Sequence, residues 1–175
     1  MYKPITDCIL PAVRQTFVAL NLLASKAAAR CEASKVSEDV YLDWRQAPDM
    51  LPLVAQFRFA SEIPARALSR LAGAELPVFA DDERSFEALK ARTARAQVII
   101  DSLDPAALDA EPEKLITVPM GHLKATLPRG SFAHRWIMPN LYFHTSAAYL
   151  ILRGIGVELG KADYLVGIVE YVSEG

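Results

Sequence analysis

Apolar residues recur every three or four positions in four long stretches of the chain. That period predicts helices with one buried face. In the first stretch, residues 5–33, the side chains of Val13, Phe17, Leu20, Ala24, Ala27 and Cys31 form a single stripe. Pro11 stands near its start and marks either a kink or the true first turn. Ser37 can cap a short helix through Leu42, and residues 44–48 read as a connector. A second helix is predicted from Asp49, its N-cap, with Pro52 in the first turn and Leu53, Phe57, Ala60, Ala67 and Leu71 as its stripe. Pro64 should bend this helix without ending it, and Gly73 is its C-terminal stop. A third helix is predicted from Asp81 or Asp82, with Phe86, Leu89, Thr93, Ala96, Ile100 and Leu103 in register and Pro105 as a stop. The fourth opens at Arg129-Gly130-Ser131, with Ser131 as cap, bends at Pro139 and ends at Gly154 and Gly156. Its apolar face is Ile137, Leu141, Ala148, Leu152 and Ile155.

Residues 114–127 break the helical period. Leu115, Ile116, Val118, Leu123 and Leu127 flank Gly121-His122, which predicts a short β-hairpin. The fold class expected is therefore all-α: one domain, residues 1–175, built as an up-and-down four-helix bundle with a small hairpin between helices 3 and 4. The stretch after Lys161 has no readable period. Its end, residues 166–175, carries Val166, Ile168, Val169, Tyr171 and Val172. This tail is too apolar for a solvated terminus and should pack on the bundle or on a second copy of the chain.

Composition narrows the function classes. Of the 175 residues 52% are apolar and 9% aromatic, which suits closely packed helices. Nineteen Lys and Arg stand against 21 Asp and Glu, a net charge of −2. With no basic arm or basic-aromatic cluster, the sequence argues against a nucleic-acid partner. Cys8 and Cys31 would stand about 35 Å apart on one continuous helix, beyond the reach of a disulfide. Two reduced thiols, no apolar signal core in Met1–Leu10 and no uncharged apolar run of membrane-spanning length imply a cytoplasmic protein without a membrane partner.

The chemistry concentrates on one face. Asn140 and His144 are four residues apart, one helical turn, in the last strongly apolar segment. His144 is flanked by Leu141, Ala148 and Leu152, so its ring nitrogens need partners. Asn140 can supply one. Gln56 faces inward from the second helix in step with Leu53, Ala60 and Ile63, and Asp49 lies two turns upstream on the same side. Gln56, Asn140, His144 and Asp49 are therefore the candidate ligand-binding polar cluster, and a self-satisfied buried network is the competing reading. His122 reads as an exposed turn residue. His134 reads as a surface residue, about 15 Å along the helix from His144. Trp44, Trp136, Tyr142 and Tyr149 suit either a pocket wall or packing. Arg153 and Asp163 read as a structural ion pair. No nucleophile elbow, phosphate loop, dinucleotide fingerprint or Cys-x-x-Cys is present.

Two blocks carry a resemblance. Tyr142-Phe143-His144, Ala148 to Arg153, Gly156 and Gly160 to Tyr164, together with Ala47-Pro48-Asp49-Met50, are similar to an uncharacterised-domain family within the DinB/YfiT-like four-helix-bundle superfamily. The resemblance covers roughly residues 2–165. It implies, in metal-binding relatives, one histidine on the second helix and a His-x-x-x-His pair on the fourth. His144 falls on the second position of that pair, Asn140 on the first, and Gln56 on the second-helix position. Zinc and nickel favour imidazole, thiolate or carboxylate, so one imidazole with two amides is a degenerate metal site. Asp49 or Glu62 could rescue it only if helix geometry brings them in. The expectation is a homodimer without a cofactor that binds a small polar ligand or a partner, the tail being one partner surface. The alternative is a zinc- or nickel-dependent enzyme of the thiol-transferase or hydrolase kind, with His144 as its metal ligand.

Overall fold

The computed structural model describes residues 4–171 and 173. Residues 1–3, 172, 174 and 175, and the side chains of Val169, Glu170 and Tyr171, lie outside the description. The part of the tail expectation that rests on Val169, Tyr171 and Val172 therefore falls there. In chain order the elements are α1 (Ile5–Cys8), α2 (Leu10–Ser34), α3 (Glu38–Leu42), α4 (Leu53–Ala72), α5 (Phe86–Asp101), α6 (Pro105–Asp109), β1 (Leu115–Met120), β2 (Leu123–Pro128), α7 (Arg129–Phe132), α8 (Met138–Gly154) and α9 (Lys161–Tyr164). A π-helical turn, Ala133–Ile137, joins α7 to α8, and a 3₁₀ turn, Val166–Tyr171, follows α9. The architecture is mostly helical, with one two-stranded antiparallel hairpin pairing Leu115 with Pro128 and Met120 with Leu123.

The four longer helices pack in a ring. α2 lies against α5, α5 against α4, α4 against α8, and α8 against α2, with α4–α8 the most extensive seam. The predicted stripes form the core: Val13, Phe17, Leu20, Leu53, Phe57, Leu71, Phe86, Leu89, Ile137, Leu141 and Leu152 are all buried. Ile5–Ser34 is long and apolar enough to cross a bilayer by length and composition, although Asp7, Arg14 and Lys26 leave it no long uncharged run. Half of its most apolar window is buried inside the fold.

Several boundaries differ from the sequence expectation, each for a local reason. The first helix breaks at Ile9, because Pro11 occupies the first turn of α2. Asp49 does not cap the second helix. It is exposed in a turn, and α4 begins at Leu53 after an extended Pro52, where the chain cannot donate an N–H. Leu53 N–H instead bonds the Trp44 carbonyl at 2.8 Å. The third helix starts at Phe86, not Asp81. Ser85 Oγ caps it by accepting from Ala88 N–H, while Asp81 and Glu83 are drawn to arginines of α4 and α5. Pro105 does more than stop that helix, because Asp104 caps a further turn, α6. Ser131 is inside α7 and caps nothing. Pro139 stands in the first turn of α8, directly after the π turn, where its missing N–H costs little. Pro64 stays inside an unbroken α4.

Two glycines do what the sequence asks. Gly73 (φ +69°) ends α4 while Ala74 N–H bonds the Ser69 carbonyl at 2.9 Å. Gly121 (φ +61°) takes the first position of the two-residue turn beside the exposed His122. The described part of the tail forms the 3₁₀ turn, which with α9 packs back on α2. Tyr164 meets Tyr149 edge-on at 6.0 Å and hydrogen-bonds Ser146 at 3.1 Å. The Arg153–Asp163 pair does not form. Arg153 donates to the Leu159 carbonyl, and Asp163 pairs with Lys26 at 2.7 Å, because α9 turns toward α2.

Candidate functional site

The α4–α8 seam carries the site. Gln56, in the first turn of α4, and His144, midway along α8, are 88 positions apart in sequence, and both are buried. Gln56 Nε2 donates to the Leu51 carbonyl at 3.0 Å, which turns Oε1 toward α8. His144 Nδ1 lies 2.8 Å from that oxygen. An amide oxygen only accepts, so Nδ1 carries the hydrogen, and the neutral ring presents its Nε2 lone pair outward. The loop preceding α4 therefore fixes the tautomer of a histidine on α8.

Burial sets the charge of the ring. It pushes the His144 pKa down from 6.5 to about 4, so the imidazole is neutral at physiological pH. Phe59 lies 5.2 Å away, tilted against the ring, and Phe143 meets it edge-on at 5.2 Å. Among the described residues Nε2 has no hydrogen-bond partner. A neutral imidazole held by one nitrogen and open at the other can accept a hydrogen bond, take a proton or donate a lone pair to a metal.

The other two candidates are elsewhere. Asn140 is half-buried, and its Nδ2 donates to the Trp136 carbonyl one turn back at 2.7 Å, so the amide serves its own helix. Asp49 is exposed before α4 and is not brought to His144. Glu62 is held by Arg92 at 2.6 Å. Thus the positions where the resemblance implies three imidazoles hold one imidazole and two amides, and both amides are engaged by protein groups. As a first coordination shell for zinc or nickel this donor set does not fit. Among the described residues no three His, Cys, Asp or Glu side chains come together as a metal-holding group.

Sequence reasoning overlooked two features. One is Phe59, a turn from Gln56 on the same face of α4, which packs on the imidazole. The other is Arg92, almost wholly buried in α5. Its guanidinium bonds Glu83 at 2.7 Å and Glu62 at 2.6 Å, and Arg58 bonds Glu83 from α4 at 2.7 Å. Burial works to raise the Glu83 carboxyl, but the hydrogen bonds from Arg92 and Arg58 and the Arg92 charge outweigh it, so its pKa lies below the ordinary value. A charged residue in step with Leu89 and Ala96 was the available signal.

Comparison with known proteins agrees with this architecture. The profile of a domain of unknown function, DUF1993, matches residues 5–165. The chain belongs to that family. A crystal structure of a DinB family member protein from Shewanella denitrificans superposes with a TM-score of 0.80 at 33% identity, over 88% of this chain and 87% of that one. The DUF1993 chain is thus DinB-like in fold. No curated protein matches it.

Proposed function

We propose that this DUF1993 protein is a cytoplasmic binding protein for a small polar ligand, recognised at the outward Nε2 of His144, and that the metal site of its relatives is here degenerate. The observation that carries the reading is the Leu51–Gln56–His144 relay, which holds a neutral imidazole with one nitrogen uncommitted. The ring of contacts among α2, α5, α4 and α8 supports reading them as an up-and-down four-helix bundle, with the short helices as connectors. Cys8 and Cys31 as thiols suit a reducing compartment. Exposed Phe143, Leu150 and Tyr142 along α8 favour a homodimer, which sedimentation equilibrium would register and Phe143→Glu should disperse.

Metal analysis of the purified protein separates this reading from its alternative, a divalent-metal enzyme of the thiol-transferase or hydrolase kind. Less than one-tenth of an ion per chain is expected. One zinc, nickel or iron per chain would overturn the binding reading. Nitrogen-detected imidazole NMR gives the positive test. Small neutral hydrogen-bond donors, titrated in as short amides and alcohols, should shift the His144 Nε2 resonance saturably and leave Nδ1 nearly fixed. An Nε2 resonance indifferent to all of them would refute it.

A further inference from the structure

One turn along the α4–α8 seam from Phe59 a groove of about 170 Å³ opens between α4, the π turn and the hairpin. Phe59, Phe132 and Trp136 wall it, with Val118 of β1 across from them, and Arg66 and Arg70 reach it from successive turns of α4. Phe132 stacks on Trp136 at 6.3 Å with 12° between the rings, so the aromatic wall is ordered. Such a groove, apolar and aromatic with convergent cations, is the composition of a small-molecule site.

Charge accounting shows which sign the groove prefers. Arg58, Arg66 and Arg92 are shared among Glu62, Asp81 and Glu83, three guanidiniums against three carboxylates. Glu62 also faces the groove, but Arg92 bonds one of its oxygens at 2.6 Å and Arg66 stands 3.7 Å from the other. Arg66 spends Nη1 on the Pro77 carbonyl at 2.8 Å and keeps further N–H donors. Arg70 has no hydrogen-bond or ion-pair partner among the described residues, so its charge is the surplus.

We propose that this groove binds a small anion with a flat apolar body, of the aryl-carboxylate class. The carboxylate faces Arg70 and Arg66, and the ring lies against Trp136 and Phe59. A planar guanidinium matches a carboxylate through paired hydrogen bonds, and the aromatic wall recognises a flat ring better than an aliphatic one. The groove adjoins the His144 site through Phe59, but neither His144 nor Asn140 lines it.

Trp136 supplies the readout. The chain has two tryptophans, so Trp44→Phe leaves Trp136 as the sole indole. In that background benzoate should change the fluorescence saturably, with an apparent Kd at least about tenfold below that of neutral benzamide. Arg70→Gln should weaken benzoate about tenfold and leave benzamide unchanged. Arg66→Gln, in a protein checked as folded by circular dichroism, should weaken it in the same direction. Equal responses to benzoate and benzamide, or no saturable response up to about 10 mM, would overturn the proposal. His144→Gln should spare benzoate binding. If it abolishes binding while Arg70→Gln does not, the anion belongs at His144 and the groove assignment fails.

Discussion

Acid should destabilise this protein through His144, and the size of the effect follows from its burial. The ring is 8% exposed, and its pKa falls from 6.5 to about 4. In the unfolded chain it regains an ordinary value of about 6.5. Because the folded value is the lower one, the unfolded state takes up the proton first as pH falls. The contribution of a neutral, buried ring is therefore complete above about pH 6.5, declines through the window down to about pH 4, and is gone below it. At about pH 5 the unfolded ring is almost fully protonated and the folded ring almost neutral, a difference of about 2 kcal/mol. The full window is worth about 3 kcal/mol. The assay is urea unfolding of the wild type and His144→Gln at about pH 8 and about pH 5. Carboxylates such as Glu83 titrate in both chains and cancel in the comparison. The wild type should lose about 2 kcal/mol more than the variant over that interval. Equal losses would refute the reasoning, and with it the claim that burial holds this imidazole neutral.

Three further outcomes are expected. Arg129 donates to the carbonyls of Leu71, Ala107, Leu108 and Ala110, tying the end of α4 to α6 and the base of the hairpin. Arg129→Met should cost about 2–4 kcal/mol in chemical denaturation and speed hydrogen exchange in β1 and β2 first. Arg92→Met leaves Glu83 buried without its main partner and should cost about 3–5 kcal/mol; adding Glu83→Gln to that variant should recover part of the loss, as the same unfolding assay would reveal. Cys31 is buried, and burial followed by the nearby Glu38 charge raises its thiol pKa, so iodoacetamide at neutral pH should label the half-buried Cys8 well before Cys31, as peptide mass mapping would record.

The helical stripes were legible because burial imposes a 3.6-residue period that few other forces mimic. Gly73 and Gly121 were legible because a left-handed backbone excludes most side chains. Helix starts were less so. The run Asp81-Asp82-Glu83-Arg84-Ser85 offers several capping side chains within five residues, and the choice of Ser85 is made by arginines from α4 and α5 that claim Asp81 and Glu83. Asp49 was misread for a related reason. An acidic residue before a proline fits a cap, yet the helix start was decided by the extended Pro52 and the distant Trp44 carbonyl. Arg92 shows the limit from the other side, since hydrophobic patterning assigns no place to a charge whose neutralising partners arrive from 9 and 30 positions away.

At the candidate site the sequence offered residue types, and the fold decides what they mean. Gln56 and Asn140 are both amides at positions implied to hold imidazoles, yet they part company. Asn140 bonds a carbonyl of its own helix, whereas Gln56 bonds the ring it faces. In a metal centre the groups that orient a ligating histidine stand behind it, accepting the proton of its far nitrogen. Gln56 stands in that relation to His144: it fixes Nδ1–H and directs Nε2 outward. At the position where the resemblance implies a ligating imidazole, Gln56 is the orienting partner of His144. Burial keeps that single imidazole neutral and Gln56 aims it, as a hydrogen-bonded ligand needs, while one imidazole and two amides fall short of the donor set a tightly held transition metal needs.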